Sequence, residues 1–204
     1  LRKTLNKNSI DSCQYTCPDI VLIIGESYNR SHSQLYGYPL PTTPYQNALY
    51  KTGRLIPFTN VITSWNMTCE SFEDMFSLYA VGDKGNWYDY PFFTTMFRQA
   101  GYNVFFLSNQ FVMNPSESFS AFIEDIFIND KEISELQFSH RNENIHPYDM
   151  GLLDDYQKLK KLSSAHNLWI FHTMGLHAKF SERYPSEWKK FTLADYHRPD
   201  LSTS

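Results

Sequence analysis

Short apolar runs rich in β-branched residues recur along the chain and predict strands. Residues 19–24 read Asp-Ile-Val-Leu-Ile-Ile and end at Gly25, which favours a parallel strand covered on both faces over an amphipathic helix. Residues 103–107 and 168–173 predict two further strands. Residues 54–64 are also predicted to be extended, because β-forming residues recur among them.

Amphipathic stretches separate these runs and predict helices. Residues 45–51, 71–80, 92–100 and 150–163 place their apolar side chains mainly on one helical face. Helices that alternate with strands imply a mostly parallel sheet with helices on both of its faces. The pattern therefore predicts an α/β fold.

Composition narrows the functional class. The chain has 204 residues, of which 42% are hydrophobic, and this is enough to bury one substantial core. Its net charge of -4 and the lack of a sustained Lys/Arg stripe exclude nucleic acid as an expected partner. No apolar run approaches the ~20 residues needed to cross a bilayer, and the first residues do not resemble a signal peptide.

The first residues differ in character from the rest. Residues 1–17 are polar and lack periodicity, so we interpret them as a linker and expect the domain to occupy residues 18–204. Three cysteines permit at most one internal disulfide, and Cys13 and Cys17 are the pair close in sequence. A bridge and two unpaired thiols remain equally open for this pair.

Two polar side chains come directly after predicted strands. Glu26 follows residues 19–24, and His177 follows residues 168–173. Because the carboxyl ends of parallel strands meet at one edge of a sheet, where ligands and metals bind, both are candidates for a site. The alternative for Glu26 is an ordinary solvated turn. His172, inside the strand pattern, is interpreted as a packing histidine.

Thr68 precedes the helix predicted for residues 71–80. A helix N-terminus has free backbone N–H groups that stabilise a phosphoryl group or an alkoxide, so Thr68 is a candidate nucleophile near Glu26 and His177. From spacing alone a simple helix cap is the more ordinary interpretation of Thr68, and Ser71 with Asp74 makes a separate match to a capping box. Cys69 is a further candidate, although a buried and inert thiol is the more ordinary interpretation.

A series of short motifs follows in order along the chain. They are Gly25-Glu26-Ser27, Arg30, Leu35-Tyr36-Gly37-Tyr38-Pro39, Thr42-Thr43-Pro44, Thr68-Cys69-Glu70-Ser71, Met75-Phe76-Ser77, Gly101-Tyr102, Leu107-Ser108-Asn109-Gln110, Gly175-Leu176-His177 and Arg183-Tyr184-Pro185. In order and spacing this series resembles the catalytic domain of bacterial phosphoethanolamine transferases. Those enzymes belong to the alkaline phosphatase and sulfatase superfamily.

The resemblance implies a fold, a place and a chemistry. The fold is a three-layer α/β/α sandwich, alkaline-phosphatase-like, in a domain at the periplasmic face of the bacterial inner membrane. Glu26 and Thr68 match zinc ligands, and Thr68 also matches the nucleophile. His177 matches a contact of the transferred phosphoryl group, and Asn109 lies in a motif expected to bind substrate. Phosphatidylethanolamine is then the donor, and a lipopolysaccharide or another envelope glycan is the acceptor, through a covalent intermediate on Thr68.

The chain also departs from the family pattern. The Asp-His pair that completes the zinc site does not occur before Ser204, and the membrane-spanning N-terminal region is absent. We therefore expect a fragment, incomplete at the C-terminal side and inactive alone, with the Asp-His ligands downstream. The lysine that some members place after the Asn-Gln motif is not found in residues 111–118.

Two alternatives remain. A sulfatase or phosphatase of the same superfamily is one, but residues 69–73 lack the Cys/Ser-x-Pro-x-Arg motif of the usual sulfatases. A noncatalytic relative that binds a headgroup is the other. An Asp-His pair encoded beyond Ser204 would favour the enzyme, and a natural stop there would favour the binding module.

Overall fold

The computed structural model of the chain describes residues 10–13, 17–112 and 126–195. Within them, four strands form one parallel sheet in the order β1-β4-β2-β3. The strands are β1 (Asp19–Ile24), β2 (Asn103–Ser108), β3 (His140–Arg141) and β4 (Asn167–His172). Ile24 and Ser108 both pair with His172, so β1, β2 and β4 end at the same level.

Helices connect the strands. They are α1 (Pro44–Lys51), α2 (Thr68–Phe76), α3 (Phe93–Gln99), α4 (Lys131–Gln137) and α5 (Gly151–Leu159). The strands predicted at residues 19–24, 103–107 and 168–173 are confirmed, as are the helices at 45–51, 92–100 and 150–163. The pattern did not predict α4 and β3.

The core occupies both faces of the sheet. On one face, Phe72 and Phe76 of α2 pack with Val104, Phe106 and Ile170 of β2 and β4. On the other face, α5 contributes Leu152, which packs with Phe105, Leu107 and Trp169. The sheet is therefore the middle layer of three, and the predicted α/β/α sandwich is confirmed.

Strand β1 differs from its prediction. Val21 and Ile23 are 59% and 68% exposed, so the face that carries them is not covered by the described residues. The physical reason is position, because β1 lies at one edge of the sheet and α5 packs on β2 and β4. The apolar run indicated a strand correctly, but the expected burial on both faces is wrong for the described part of the chain.

Residues 54–64 do not form a strand, contrary to expectation. A strand needs a neighbour to complete its hydrogen bonds, and this segment is held by side chains instead. Arg30 donates a hydrogen bond to the carbonyl of Thr59, and Tyr36 donates one to the carbonyl of Phe58. Motif residues that supported the resemblance thus have a structural role here.

Several expectations fall wholly or partly outside the described residues. The predicted linker, residues 1–17, is described only at 10–13 and 17, and the segment 111–118 only at 111 and 112. The thiol of Cys17 donates a hydrogen bond to the carbonyl of Asp19. None of the helices in the described ranges has the length and apolarity that crossing a membrane requires.

Candidate active site at the carboxyl edge of the sheet

Glu26 lies just beyond β1 and is the hub of a small polar cluster. Its Oε2 accepts a 2.8 Å hydrogen bond from the hydroxyl of Thr68, and its Oε1 accepts a 2.9 Å bond from Ser27. A longer contact of 3.5 Å joins Oε2 to the amide of Gln110. Ser27 has a φ of 53°, an uncommon left-handed conformation for a residue with a side chain. Such strain is concentrated at functional sites.

The environment of Glu26 favours its ionised form. Partial burial by itself raises the pKa of this carboxyl group, but the hydrogen bonds from Thr68, Ser27 and Gln110 outweigh it. The resulting pKa lies below the ordinary value. Glu26 is therefore a carboxylate at neutral pH, as a metal ligand must be.

Thr68 is the first residue of α2, and Met67 occupies the capping position without a side-chain hydrogen bond. The alternative that Thr68 only caps the helix is therefore wrong, since its hydroxyl turns to Glu26. The capping box of Ser71 and Asp74 is also wrong, because the helix begins three residues earlier than predicted. Ser71 Oγ instead bonds the backbone near the helix start, and Asp74 accepts a bond from Trp65.

The N-terminus of α2, where Thr68 lies, offers free backbone N–H groups. The first backbone hydrogen bond within the helix runs from the N–H of Ser71 to the carbonyl of Met67. The N–H groups of the preceding helical residues have no partner of this kind, which is the usual condition of a helix start. They supply donors and a positive dipole end beside the Thr68 hydroxyl.

Cys69 does not compete with Thr68 as a nucleophile. Burial raises the pKa of its thiol, and the carboxylates of Glu70 and Glu73 raise it further. A thiol with a raised pKa is mostly protonated at neutral pH and a weak nucleophile. The interpretation of Cys69 as an inert, half-buried residue agrees with this environment.

The loop after β4 lies directly against Glu26. The N–H of Leu176 donates a 3.0 Å hydrogen bond to the carbonyl of Glu26. Gly175 has a φ of 54°, and a Cβ atom there would lie 2.7 Å from that same carbonyl oxygen. Only glycine fits this position, for backbone conformation and for space. The close approach brings the loop that carries His177 to the site.

His177 is held through its backbone. Its N–H donates to the carbonyl of Met174, and Arg183 donates to the carbonyls of His177 and Ala178. Arg183 of the Arg183-Tyr184-Pro185 motif thus holds the backbone at the end of the loop. The half-buried imidazole follows the residues that contact Glu26. Its predicted contact with a phosphoryl group stays a prediction.

Asn109 is fully buried at the end of β2. Its side-chain oxygen accepts a bond from the N–H of His146, and its side-chain nitrogen donates to Asp149. Both ends of the amide are thus engaged within the protein. A direct contact of Asn109 with substrate stays a prediction, and in this structure the side chain joins neighbouring loops.

A buried histidine supports the site from below. His172 is fully buried against Phe72 and Phe111, as expected of a packing residue. Its Nε2 lies 3.1 Å from the amide nitrogen of Gln110, and its Nδ1 lies 2.9 Å from Ser108 Oγ. Burial lowers the pKa of His172 to about 4.

The described residues match part of a zinc site. Catalytic zinc usually has three protein ligands and one open position. Glu26 and Thr68 offer two neighbouring oxygen donors, one of them ionised. The described part of the chain contains no group of three or more His, Cys, Asp or Glu residues placed to hold a metal. The donor chemistry fits zinc, but two donors do not complete its shell.

The sequence analysis identified Glu26 and Thr68 but not the role of Gln110 or Asp149, which support them. Glu26 and Thr68 are in contact, and the loop bearing His177 lies against Glu26. Gln110 belongs to the Leu107-Ser108-Asn109-Gln110 motif, but the sequence analysis predicted no role for it. Asp149 lies in none of the motifs, and no pattern in the sequence singled it out.

Comparison with known proteins finds relatives that are named phosphoethanolamine transferases. The chain is 32% identical, over 88% of its length, to phosphoethanolamine transferase EptC of Escherichia coli O18:K1:H7. It is also 32% identical, over 90% of its length, to phosphoethanolamine transferase CptA of Salmonella typhimurium. It covers 31% and 32% of these two proteins, so it spans about a third of their length.

A solved structure of a related protein has a similar fold. The C-terminal periplasmic domain of EptC from E. coli, in complex with zinc, superposes with a TM-score of 0.68 at 28% identity. The match covers 85% of this chain and 48% of that domain. The resemblance inferred from the motifs is thereby confirmed. The sulfatase family model matches residues 18–200, and the chain belongs to the sulfatase family.

Proposed function

We propose that residues 18–204 form the N-terminal part of the catalytic domain of a zinc-dependent phosphoethanolamine transferase, with residues 1–17 as a linker. The observation that carries the proposal is the hydrogen bond from Thr68 to the ionised Glu26 at a helix N-terminus. It joins a hydroxyl nucleophile, an oxygen ligand and an anion-stabilising dipole at one edge of a parallel sheet. The relatives named for this transfer support the same assignment.

In the first half-reaction, Thr68 Oγ1 attacks the phosphorus of phosphatidylethanolamine. The new bond joins Oγ1 to phosphorus, and the bond from phosphorus to the diacylglycerol oxygen breaks. The hydroxyl proton of Thr68 is transferred overall to the released diacylglycerol. Phosphoethanolamine remains on Thr68, beside the N–H groups that begin α2, which stabilise negative charge on the phosphoryl oxygens.

Glu26 and Thr68 would hold the zinc ion, together with an Asp-His pair downstream of the described residues. When bound, zinc lowers the pKa of a coordinated hydroxyl, which a weak nucleophile such as threonine requires near neutral pH. Glu26 contributes a carboxylate that is already ionised. We expect a polypeptide limited to residues 1–204 to bind zinc weakly and to be inactive, because the two donors found among the described residues do not complete the site.

In the second half-reaction, an acceptor takes phosphoethanolamine from Thr68 and restores its hydroxyl. We assign His177 to the transferred phosphoryl group, because its loop packs against Glu26. We assign Asn109 to the substrate-binding region, where it joins two of the loops at this edge. The acceptor is a hydroxyl or phosphate of lipopolysaccharide or another envelope glycan, at the periplasmic face of the inner membrane.

The proposal is tested by following both products in the full enzyme, loaded with zinc and given phosphatidylethanolamine labelled in its ethanolamine. A transferase releases diacylglycerol and delivers the label to lipopolysaccharide, with little free phosphoethanolamine. Release of free phosphoethanolamine at the same rate with and without acceptor would instead identify a hydrolase. No cleavage of the donor with zinc present would favour a headgroup-binding protein.

A further inference from the structure

Asp149 lies just before α5, and its carboxylate accepts three hydrogen bonds. Oδ1 accepts a 2.7 Å bond from the N–H of Met174 and a 2.9 Å bond from the side chain of Asn109. Oδ2 accepts a 2.9 Å bond from the N–H of Gly175. One side chain thus joins the loops after β2 and after β4.

The residues bound by Asp149 are also those that meet the candidate site. Gly175 approaches the backbone of Glu26 so closely that a Cβ atom would lie 2.7 Å from its carbonyl oxygen. The next residue, Leu176, donates a hydrogen bond to that oxygen. A displacement of the Met174–Gly175 backbone would therefore change either the contacts of Gly175 and Leu176 with the Glu26 backbone or the position of the loop that carries His177.

We propose that Asp149 is a positioning residue for phosphoryl transfer, which acts through Gly175 on the placement of Glu26 and of the His177 loop. This inference rests on the proposed function. Asp149 has no direct contact with Glu26 or Thr68 among its hydrogen bonds within the described residues, so its effect is geometric. Errors of about 1 Å in such positioning cost up to about 100-fold in rate.

The chemistry of the three donors dictates the test variant. All three partners of Asp149 donate N–H groups, and two of them belong to a rigid backbone. In Asp149→Asn, one side-chain oxygen is replaced by NH₂, which also donates and must face at least one N–H donor. The variant keeps the size of the side chain and disturbs the loop.

Asp130 offers a matched control. Its carboxylate accepts a 3.0 Å hydrogen bond from the N–H of Ile133 at the start of α4. That helix packs against α3, on a different part of the fold from the loop after β4. Asp130→Asn therefore removes one carboxylate charge from a backbone-binding position without touching Met174 or Gly175.

The experiment measures the single-turnover rate at which phosphatidylethanolamine modifies Thr68 in the full zinc-loaded enzyme. We expect Asp149→Asn to lower this rate about 10- to 100-fold, with the donor concentration for half-maximal rate changed less than about threefold. Asp130→Asn should retain the wild-type rate. Asp149→Glu, which keeps the charge but lengthens the side chain, serves if the Asn variant does not fold, and its rate should also fall.

A double variant separates positioning from general destabilisation. Because Asp149→Asn and Gly175→Ala displace the same backbone, we expect the double variant to be about as slow as the slower single variant. Multiplied effects would show two independent lesions and overturn the inference, as would wild-type rates in Asp149→Asn or Asp149→Glu. Wild-type enzyme without modified Thr68 would overturn the proposed function itself, and this inference with it.

Discussion

The hydroxyl of Thr68 donates a 2.8 Å hydrogen bond to the carboxylate of Glu26, although 42 residues separate them in sequence. Thr68 is the first residue of α2, and Glu26 lies two residues after the end of β1. The contact exists because the carboxyl ends of the parallel strands and the start of α2 meet at one edge of the sheet. It joins a nucleophile to a metal ligand in the proposed chemistry.

Replacing Glu26 by Gln should weaken zinc binding to the full enzyme by at least about 100-fold. The amide removes the negative charge that the hydrogen bonds of Thr68 and Ser27 stabilise, and disturbing even a supporting partner of a metal ligand costs about 10- to 100-fold. Competition titration with a zinc chelator measures the effect. Glu73→Gln is the control, since it alters a half-buried carboxyl group of α2, and its affinity should equal that of wild type.

Two substitutions at Thr68 separate its hydroxyl from its methyl group. Thr68→Ser keeps the hydroxyl and should retain donor cleavage within about 10-fold, whereas Thr68→Ala should abolish the covalent intermediate. Thr63→Ala provides a control, because that hydroxyl bonds the carbonyl of Trp65 and not Glu26. Diacylglycerol release reports all three. Cleavage by Thr68→Ala at the wild-type rate would assign the nucleophile to another group.

Gly175→Ala should impair the site more than its effect on stability explains. The new Cβ would meet the carbonyl oxygen of Glu26 at 2.7 Å, and the backbone has a φ of 54°. Gly101→Ala is the matched control, with a φ of 88° and nothing within 4 Å of its Cβ. Both variants should lose about 1 to 2 kcal/mol of stability from the left-handed backbone conformation.

Only Gly175→Ala should also lose donor cleavage, by about 10-fold or more, because only its Cβ displaces Glu26. Thermal unfolding and diacylglycerol release, measured on the same preparations, give the comparison. Equal activity in the two variants would contradict the close packing of Gly175 on Glu26.

His172 should make the metal-free enzyme less stable in mild acid. Burial lowers the pKa of this histidine from 6.5 to about 4. Between these two pH values the imidazole is therefore protonated in the unfolded chain but neutral in the folded chain. The stability that the neutral imidazole contributes is complete above pH 6.5. It is lost progressively as the pH falls from there to about 4, by about 3 kcal/mol in total.

Urea unfolding at pH 7 and pH 5 measures this effect. His172→Gln keeps a polar side chain of similar size but does not titrate, so its stability should fall less than that of wild type between the two pH values. The same loss in both proteins would show that other groups cause the acid sensitivity.

The sequence pattern predicted the strands correctly where a short segment alone determines the structure. The apolar runs at residues 19–24, 103–107 and 168–173 are strands, because they are short and rich in β-branched or aromatic residues. The exposure of Val21 and Ile23 did not follow, since it depends on which helix covers which strand. Residues 54–64 have strand-forming composition but no ladder partner in the described structure.

The same division holds at the site. Glu26 and Thr68 became candidates through their positions after a strand and before a helix, and the family resemblance implied their roles. Asp149 was not identifiable, because its role is to bind backbone N–H groups of a loop 25 and 26 residues away. Partners of this kind depend on tertiary placement and leave no periodic or motif signal in the sequence.

The central claim is that Thr68 becomes covalently modified by the donor with the help of Glu26. Peptide mass spectrometry of the segment containing Thr68, in the full zinc-loaded enzyme after exposure to phosphatidylethanolamine, tests it most directly. The account predicts phosphoethanolamine on Thr68 in wild type and its absence in Glu26→Ala. An unmodified Thr68 in protein that has cleaved its donor would contradict the account.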